Sequence, residues 1–235
     1  MSKITIKKII KKKGKVPITC LTAYSGNIAE ILDKHCDIIL VGDSLGMVLY
    51  GMKTTKKVNL DTMILHTKAV KNKTKRSIVV CDMPHKTYSN KLIAYKNAKK
   101  IINSTKCDAV KLEGGKKLIN TVKYLTKKGI PVLGHVGLLP QTAKNFNIKG
   151  KNNLERKRIL EDAIELSNVG VFAIVIECVV ESLAKKITNS IKVPTIGIGA
   201  SKHCDGQILV TDDIIGLSNF RPRFVKKYFN IKKFI

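Results

Sequence analysis

The sequence predicts an α/β protein built as a single (β/α)8, TIM-type barrel. Three observations carry that prediction. Short apolar runs of strand character recur along the 235 residues, segments with helical spacing separate most of them, and ionisable side chains fall just after the runs. Continuous apolar strands alternating with amphipathic helices form a parallel sheet covered on both faces. Seven runs and an eighth candidate in this length close into a barrel. An open doubly wound sheet would use fewer units or a longer chain.

In chain order, residues 1–15 form a basic segment ahead of the first strand, predicted over 16–24. Residues 26–34 carry Ile28, Ile31 and Leu32 on one side of a helix, and 36–41 form the second strand. A long loop over 42–60 follows. Helical spacing returns over 61–71, with Ile64, Leu65 and the stretch 67–70, before a strand at 77–81. The next helix, 90–102, aligns Ile93, Ala94, Ala98 and Ile101. Strand 108–112 leads to helix 116–127, which aligns Leu118, Ile119, Val122 and Leu125. Strand 130–133 opens a second long loop, 137–152. Helix 153–168 aligns Leu160, Ala163, Ile164 and Leu166. Strands at 171–176 and 193–198 follow, with the eighth candidate at 207–210 and no room for a full helix before it. In each helix the apolar residues recur at three- and four-residue steps and lysines take the other face. No linker or Pro/Gly-rich boundary interrupts the pattern, so residues 1–235 read as one domain.

Composition bounds the function classes. Hydrophobic residues make up 44% and charged residues 26%, ordinary for a globular protein. With 5% aromatics and no Trp, aliphatic side chains fill the core. No apolar run reaches the ~18 residues of a membrane span, and the N-terminus lacks the apolar stretch of a secretory signal. The six cysteines (Cys20, Cys36, Cys81, Cys107, Cys178, Cys204) form no CxxC, which excludes a zinc ribbon and argues against a disulfide framework. A reducing cytoplasm is the natural setting.

The net charge of +27 suggests nucleic acid first. Against that, the only arginines are Arg76, Arg156, Arg158, Arg221 and Arg223, and bidentate reading of bases or phosphates favours Arg. The lysines spread from end to end and accompany abundant Ile and Asn, the set that an AT-rich coding sequence supplies. The reading is a solvated surface with no specific nucleic-acid partner, whose field draws in anionic substrates.

Chemistry in a parallel barrel sits at the C-terminal ends of strands. There the sequence places Asp43, Asp82, Lys111 with Glu113, His135 and Glu177. Only 17 acids occur in the chain, so four at strand ends is a concentration. Each has a plainer alternative. Asp43 and Asp82 could singly cap turns; as a pair they make a hard oxygen site suited to Mg²⁺. Lys111 and Glu113 share one strand face, either as a structural ion pair or as a cation for a substrate carboxylate beside an acid of the metal's surroundings. His135 could be a satisfied core histidine; between two glycines it reads as a ligand-facing donor. Glu177 ends an apolar run, where a carboxylate is costly unless paired or used. Together they suggest a 2-oxo acid held by a divalent cation, which lowers the enolisation barrier by several kcal/mol. Glu177 would be the base, worth about 10²–10⁴ in rate. The electrophile is not legible from these residues.

The motifs ITCLTAY, VGDSLGM, CDMPH, VKLEGG, GHVGLLPQ, IECV, GIGA and DGQILV occur in the order and spacing of ketopantoate hydroxymethyltransferases, and the chain resembles that family over about residues 17–217. The resemblance implies a cytosolic, Mg²⁺-dependent barrel enzyme of pantothenate synthesis. Such an enzyme adds a hydroxymethyl group from 5,10-methylenetetrahydrofolate to the enolate of 3-methyl-2-oxobutanoate, giving 2-dehydropantoate, and forms a large homo-oligomer, often a decamer. Carried over by motif, Asp43 and Asp82 are the metal ligands and Glu113 completes the metal environment. Asp43, Ser44, Asp82, Lys111 and His135 contact substrate, and Glu177 accepts the proton. The chain departs from the family pattern at Ser25, His85 and Val180 and in a short loop over 141–151. Another Mg²⁺-dependent 2-oxo acid aldolase or lyase on the same barrel is the alternative.

Overall fold

Alternation along each strand sorts the side chains into two cores. The structure, a computed structural model, describes residues 2–218 and 222–234; Met1, residues 219–221 (Arg221 among them) and Ile235 lie outside the described residues. Among the described residues, eight parallel strands pair in chain order, and the last pairs with the first. They are β1 (Ile18–Thr22), β2 (Ile38–Val41), β3 (Ile78–Asp82), β4 (Ala109–Glu113), β5 (Val132–Gly137), β6 (Ala173–Glu177), β7 (Thr195–Ile198) and β8 (Gly206–Leu209). Residues two apart on a strand share a face. Ile38, Ile78, Val80, Ala109, Leu133, Ala173, Val175, Ile196 and Ile208 accordingly fill the barrel. Val79, Cys81, Val110, Leu112, Val132, Ile174 and Ile176 meet the surrounding helices. All six cysteines are buried and unpaired.

The helices are α1 (Ile6–Lys11), α2 (Gly26–Leu32), α3 (Leu45–Val48), α4 (Leu60–Lys73), α5 (Lys91–Thr105), α6 (Ile119–Lys127), α7 (Asn153–Asn168), α8 (Glu181–Ser190) and α9 (Thr211–Ile214). Asparagine starts three of the longest. The Asn59 side chain accepts from the Thr62 N–H, Asn90 from Leu92 and Ile93, and Asn152 from Glu155. Each such cap is worth ~1 kcal/mol. Among the described residues no helix is long and apolar enough to cross a membrane.

Four features differ from the sequence expectation. The basic N-terminal segment contains α1, which lies across the floor of the barrel. Its buried Ile9 joins the interior cluster, a burial worth about 1.5–3 kcal/mol. Lys12 Nζ meets both oxygens of Asp37 at 2.7 Å, and Lys13 Nζ meets Asp205 Oδ2 at 2.8 Å. The loop after β2 contains the short α3, and α8 stands where no helix was expected. Finally, β5 runs on through Gly137 instead of ending at Leu133, so His135 is a strand residue.

Candidate active site

Strand register assembles the site. Asp82 of β3 pairs with Lys111 of β4, and Glu113 of β4 pairs with His135 of β5. His135 is level with Val175 of β6, which puts Glu177 two residues nearer the mouth on the same face. Side-chain contacts then run around the barrel. Lys111 Nζ lies 2.6 Å from Asp82 Oδ1 and 3.9 Å from Glu113 Oε1. Glu113 Oε1 lies 3.6 Å from His135 Nδ1, and His135 Nε2 lies 3.2 Å from Glu177 Oε2. Lys111 thus pairs chiefly with the neighbouring strand's Asp82, not with the Glu113 of its own strand.

Asp43 and Ser44 reach this end from the turn between β2 and α3. The Asp43 N–H donates to Asp82 Oδ2 at 3.1 Å, tying the two aspartates together. Ser44 Oγ shares a 2.8 Å hydrogen bond with the Tyr24 hydroxyl. Gly42 permits this packing: a Cβ there would lie 2.8 Å from Ser44 Oγ and 3.5 Å from Asp82 Oδ2. All seven residues expected from the sequence therefore gather at the C-terminal end of the barrel.

The site is buried and strongly charged. Asp43, Asp82, Lys111, Glu113 and His135 are each no more than 6% exposed, and the Glu177 side chain is 15% exposed. Burial, then the negative charges of Asp82 and Glu113, push the Asp43 carboxyl well above its ordinary range. Burial opposes the charge on Lys111, but Asp82, Glu113 and Asp43 outweigh it and hold the ammonium charged. Burial likewise works against an ionised Glu113; His135, Lys111 and the Gln141 N–H reverse that and lower its pKa. For His135, burial is overcome by Glu113 and Glu177, and the pKa is pushed up to about 9. Neither ring nitrogen has a well-aligned hydrogen-bond partner among the described residues. The two carboxylates flank the buried ring and hold it by charge proximity.

The donor set fits a hard divalent cation. Two aspartates joined by a backbone hydrogen bond, with a third carboxylate nearby, offer oxygen ligands in a concentration of negative charge. Among the described residues, no group of three or more His, Cys, Asp or Glu side chains is placed to hold a metal ion by itself. Mg²⁺ suits such a partial set, because it takes one or two carboxylates and completes its shell with water and substrate oxygens.

Two residues that sequence reasoning missed belong here. Gln141 is 1% exposed and its amide Nε2 donates to Asp43 Oδ2 at 2.8 Å. Tyr88, also buried, bonds the Gln141 side-chain oxygen. Neither changes charge near neutral pH, so a search for ionisable strand ends passes over them. The position of Gln141 at the end of the GHVGLLPQ motif was the available signal.

A closed parallel barrel with a buried acid–base constellation at its strand ends defines a (β/α)8 barrel enzyme. The chain belongs to the family described as ketopantoate hydroxymethyltransferase, which matches residues 3–235. It is 62% identical over 224 residues to a 3-methyl-2-oxobutanoate hydroxymethyltransferase of Pelagibacter ubique (strain HTCC1062), covering 95% of this chain and 87% of that protein. It is 52% identical over 236 residues to the Rhizobium etli protein of the same name, covering 98% and 86%. Among solved structures, phosphonopyruvate hydrolase in complex with oxalate and Mg²⁺ superposes with a TM-score of 0.68 at 11% identity, over 88% of this chain and 81% of the other. That likeness is one of fold.

Proposed function

We propose that this chain is a one-carbon transferase that joins a hydroxymethyl group from 5,10-methylenetetrahydrofolate to 3-methyl-2-oxobutanoate, giving 2-dehydropantoate for pantothenate and coenzyme A synthesis. The observation that carries the reading is the run of contacts Asp82–Lys111–Glu113–His135–Glu177 in a chain 62% identical to a protein of that name. In this reading Asp43 and Asp82 hold Mg²⁺ and Glu113 completes the metal environment. When bound there, such a cation would supply Lewis-acid polarisation of the 2-oxo group, worth several kcal/mol.

The chain's own groups do the rest. Lys111, with Ser44 and His135, receives the substrate's carboxylate and carbonyl oxygens. Glu177 sits at the mouth, apart from the Asp82–Lys111 pair, and accepts the C3 proton. His135, within 3.2 Å of Glu177, holds that carboxylate toward the substrate. Carbon C3 then bonds to the methylene carbon of the folate, the folate C–N bonds break, and water supplies the hydroxyl oxygen. Tetrahydrofolate leaves. The same reading makes the protein a cytoplasmic homo-oligomer, a decamer by family resemblance, with small-molecule substrates and no specific nucleic-acid partner.

The test is exchange of the C3 proton of 3-methyl-2-oxobutanoate in deuterated water, followed by NMR with and without Mg²⁺. Exchange that needs Mg²⁺, and 2-dehydropantoate on adding the folate, support the reading. Mg²⁺-dependent exchange with no product would point to another 2-oxo acid lyase, and no exchange at all would overturn it.

A further inference from the structure

Gln141 lies between β5 and α7, and its hydrogen bonds converge on three different strand ends. Its backbone N–H donates to Glu113 Oε2 at 3.0 Å. Its Nε2 donates to Asp43 Oδ2 at 2.8 Å and to the Met83 carbonyl at 3.0 Å. Its Oε1 accepts from the Tyr88 hydroxyl. The amide can sit only one way round. The Met83 carbonyl can only accept, so the NH₂ must face it and the adjoining Asp43 oxygen, and the amide oxygen must face the Tyr88 hydroxyl.

Gln141 engages two of the three carboxylates assigned to the cation, through two different groups. It occupies Asp43 Oδ2, while Asp43 Oδ1 carries no hydrogen bond among the described residues. We propose that Gln141 is a positioning residue for the metal centre: its amide holds one oxygen of Asp43 and leaves the other turned to the cation, and its backbone fixes Glu113 beside it. Tyr88 sets the polarity of that amide. This rests on the reading that Asp43 ligates Mg²⁺.

The test compares the full-length wild type with Gln141→Leu and Tyr88→Phe. Mg²⁺ alone is titrated by calorimetry, and C3 proton exchange gives kcat and KM at saturating Mg²⁺. Groups that orient metal ligands typically cost about 10–100-fold in affinity or rate when removed. Gln141→Leu should weaken Mg²⁺ binding by about that factor and lower kcat, with KM for the oxo acid little changed. Tyr88→Phe keeps the amide in place but free to turn, and should shift both quantities the same way by less. It keeps the proposal testable if Gln141→Leu does not fold. Wild-type Mg²⁺ affinity and kcat in either folded variant, with only a lower melting temperature, would overturn it in favour of a loop anchor. A wild type that binds Mg²⁺ but exchanges no proton overturns the functional reading instead, and the variants' Mg²⁺ affinities still decide the role of Gln141.

Discussion

Glu177 and Asp82 are both carboxylates at strand ends, yet removing their charges should do different things. The Glu177 carboxylate lies 3.2 Å from His135 Nε2 and remains partly open to the mouth. Glu177→Gln keeps the shape and removes the group proposed to accept the proton. Exchange at C3 should fall by about 10²–10⁴, while calorimetric Mg²⁺ affinity and the melting temperature stay near wild type. A near-normal exchange rate would take Glu177 out of the chemistry. Asp82 is a different case, because its oxygen lies 2.6 Å from a fully buried ammonium. Asp82→Ala removes the nearest partner of Lys111 and leaves Glu113 at 3.9 Å, so the cost should approach but not exceed the about 3–5 kcal/mol of breaking a buried pair from one side. The variant should therefore melt earlier as well as bind Mg²⁺ far more weakly. Unchanged Mg²⁺ affinity in a folded Asp82→Ala protein would argue against Asp82 as a ligand.

Between elements, the turn after β4 shows how a helix can fix a site without touching it. Asp162 of α7 accepts the Lys116 N–H at 2.6 Å, just beyond the two glycines that follow Glu113. A Cβ on Gly115 would come within 1.9 Å of the Asp162 carboxyl carbon. Gly115→Ala should displace Asp162, break that bond and lower the melting temperature. In an Asp162→Ala background the same substitution should cost much less, a non-additivity that a double-mutant cycle measures directly. Additive effects would mean the carboxylate is not what Gly115 makes room for. Nothing in the sequence pairs residue 115 with residue 162, because spacing reports faces within one element and not which neighbours meet. The eight strands are legible as short continuous apolar runs, and five of the helices by apolar residues at three- and four-residue steps. Helix α8 was equally periodic, with Leu183, Ala184, Ile187 and Thr188 buried, but it follows an apolar strand closely and was read through. The lysine-rich α1 is not legible as a helix within the basic segment 1–15, because its buried Ile9 is one position among cations. The ionisable site residues were legible because charge is conspicuous at the end of an apolar run. Gln141 and Tyr88 were not, since only their partners reveal them.

At the scale of the molecule, scarce acids meet a large positive charge. Of 17 acidic residues against 44 basic ones, several are tied into the frame. Asp33 accepts the N–H groups of Lys75, Arg76 and Ser77, at 2.7 to 3.0 Å. Asp205 accepts Lys13, the Gly14 N–H and the Thr195 N–H, each at 2.8 Å. Burial opposes ionisation of both, but those donors outweigh it and hold each pKa below the ordinary carboxylate value. A group with a depressed folded pKa binds fewer protons in the folded than in the unfolded state, so stability rises with pH through that window. The contribution is complete above the unfolded value of about 4 and is lost as the pH falls through the folded one. Protonating the acids also removes negative charge from a chain that already carries +27, so self-repulsion grows in the same direction. The melting temperature should therefore fall steeply as the pH drops from about 5 to about 3, around the carboxylate range. Two variants separate the causes. Asp205→Asn should melt lower than wild type at neutral pH and show a shallower decline in acid, because its share of the linkage is already gone. Added salt should recover part of the acid loss in both proteins, since only the repulsive part is screened over a Debye length of about 10 Å at 0.1 M. A wild-type melting temperature flat from pH 7 to pH 3 would show that neither the tethered aspartates nor the net charge governs stability.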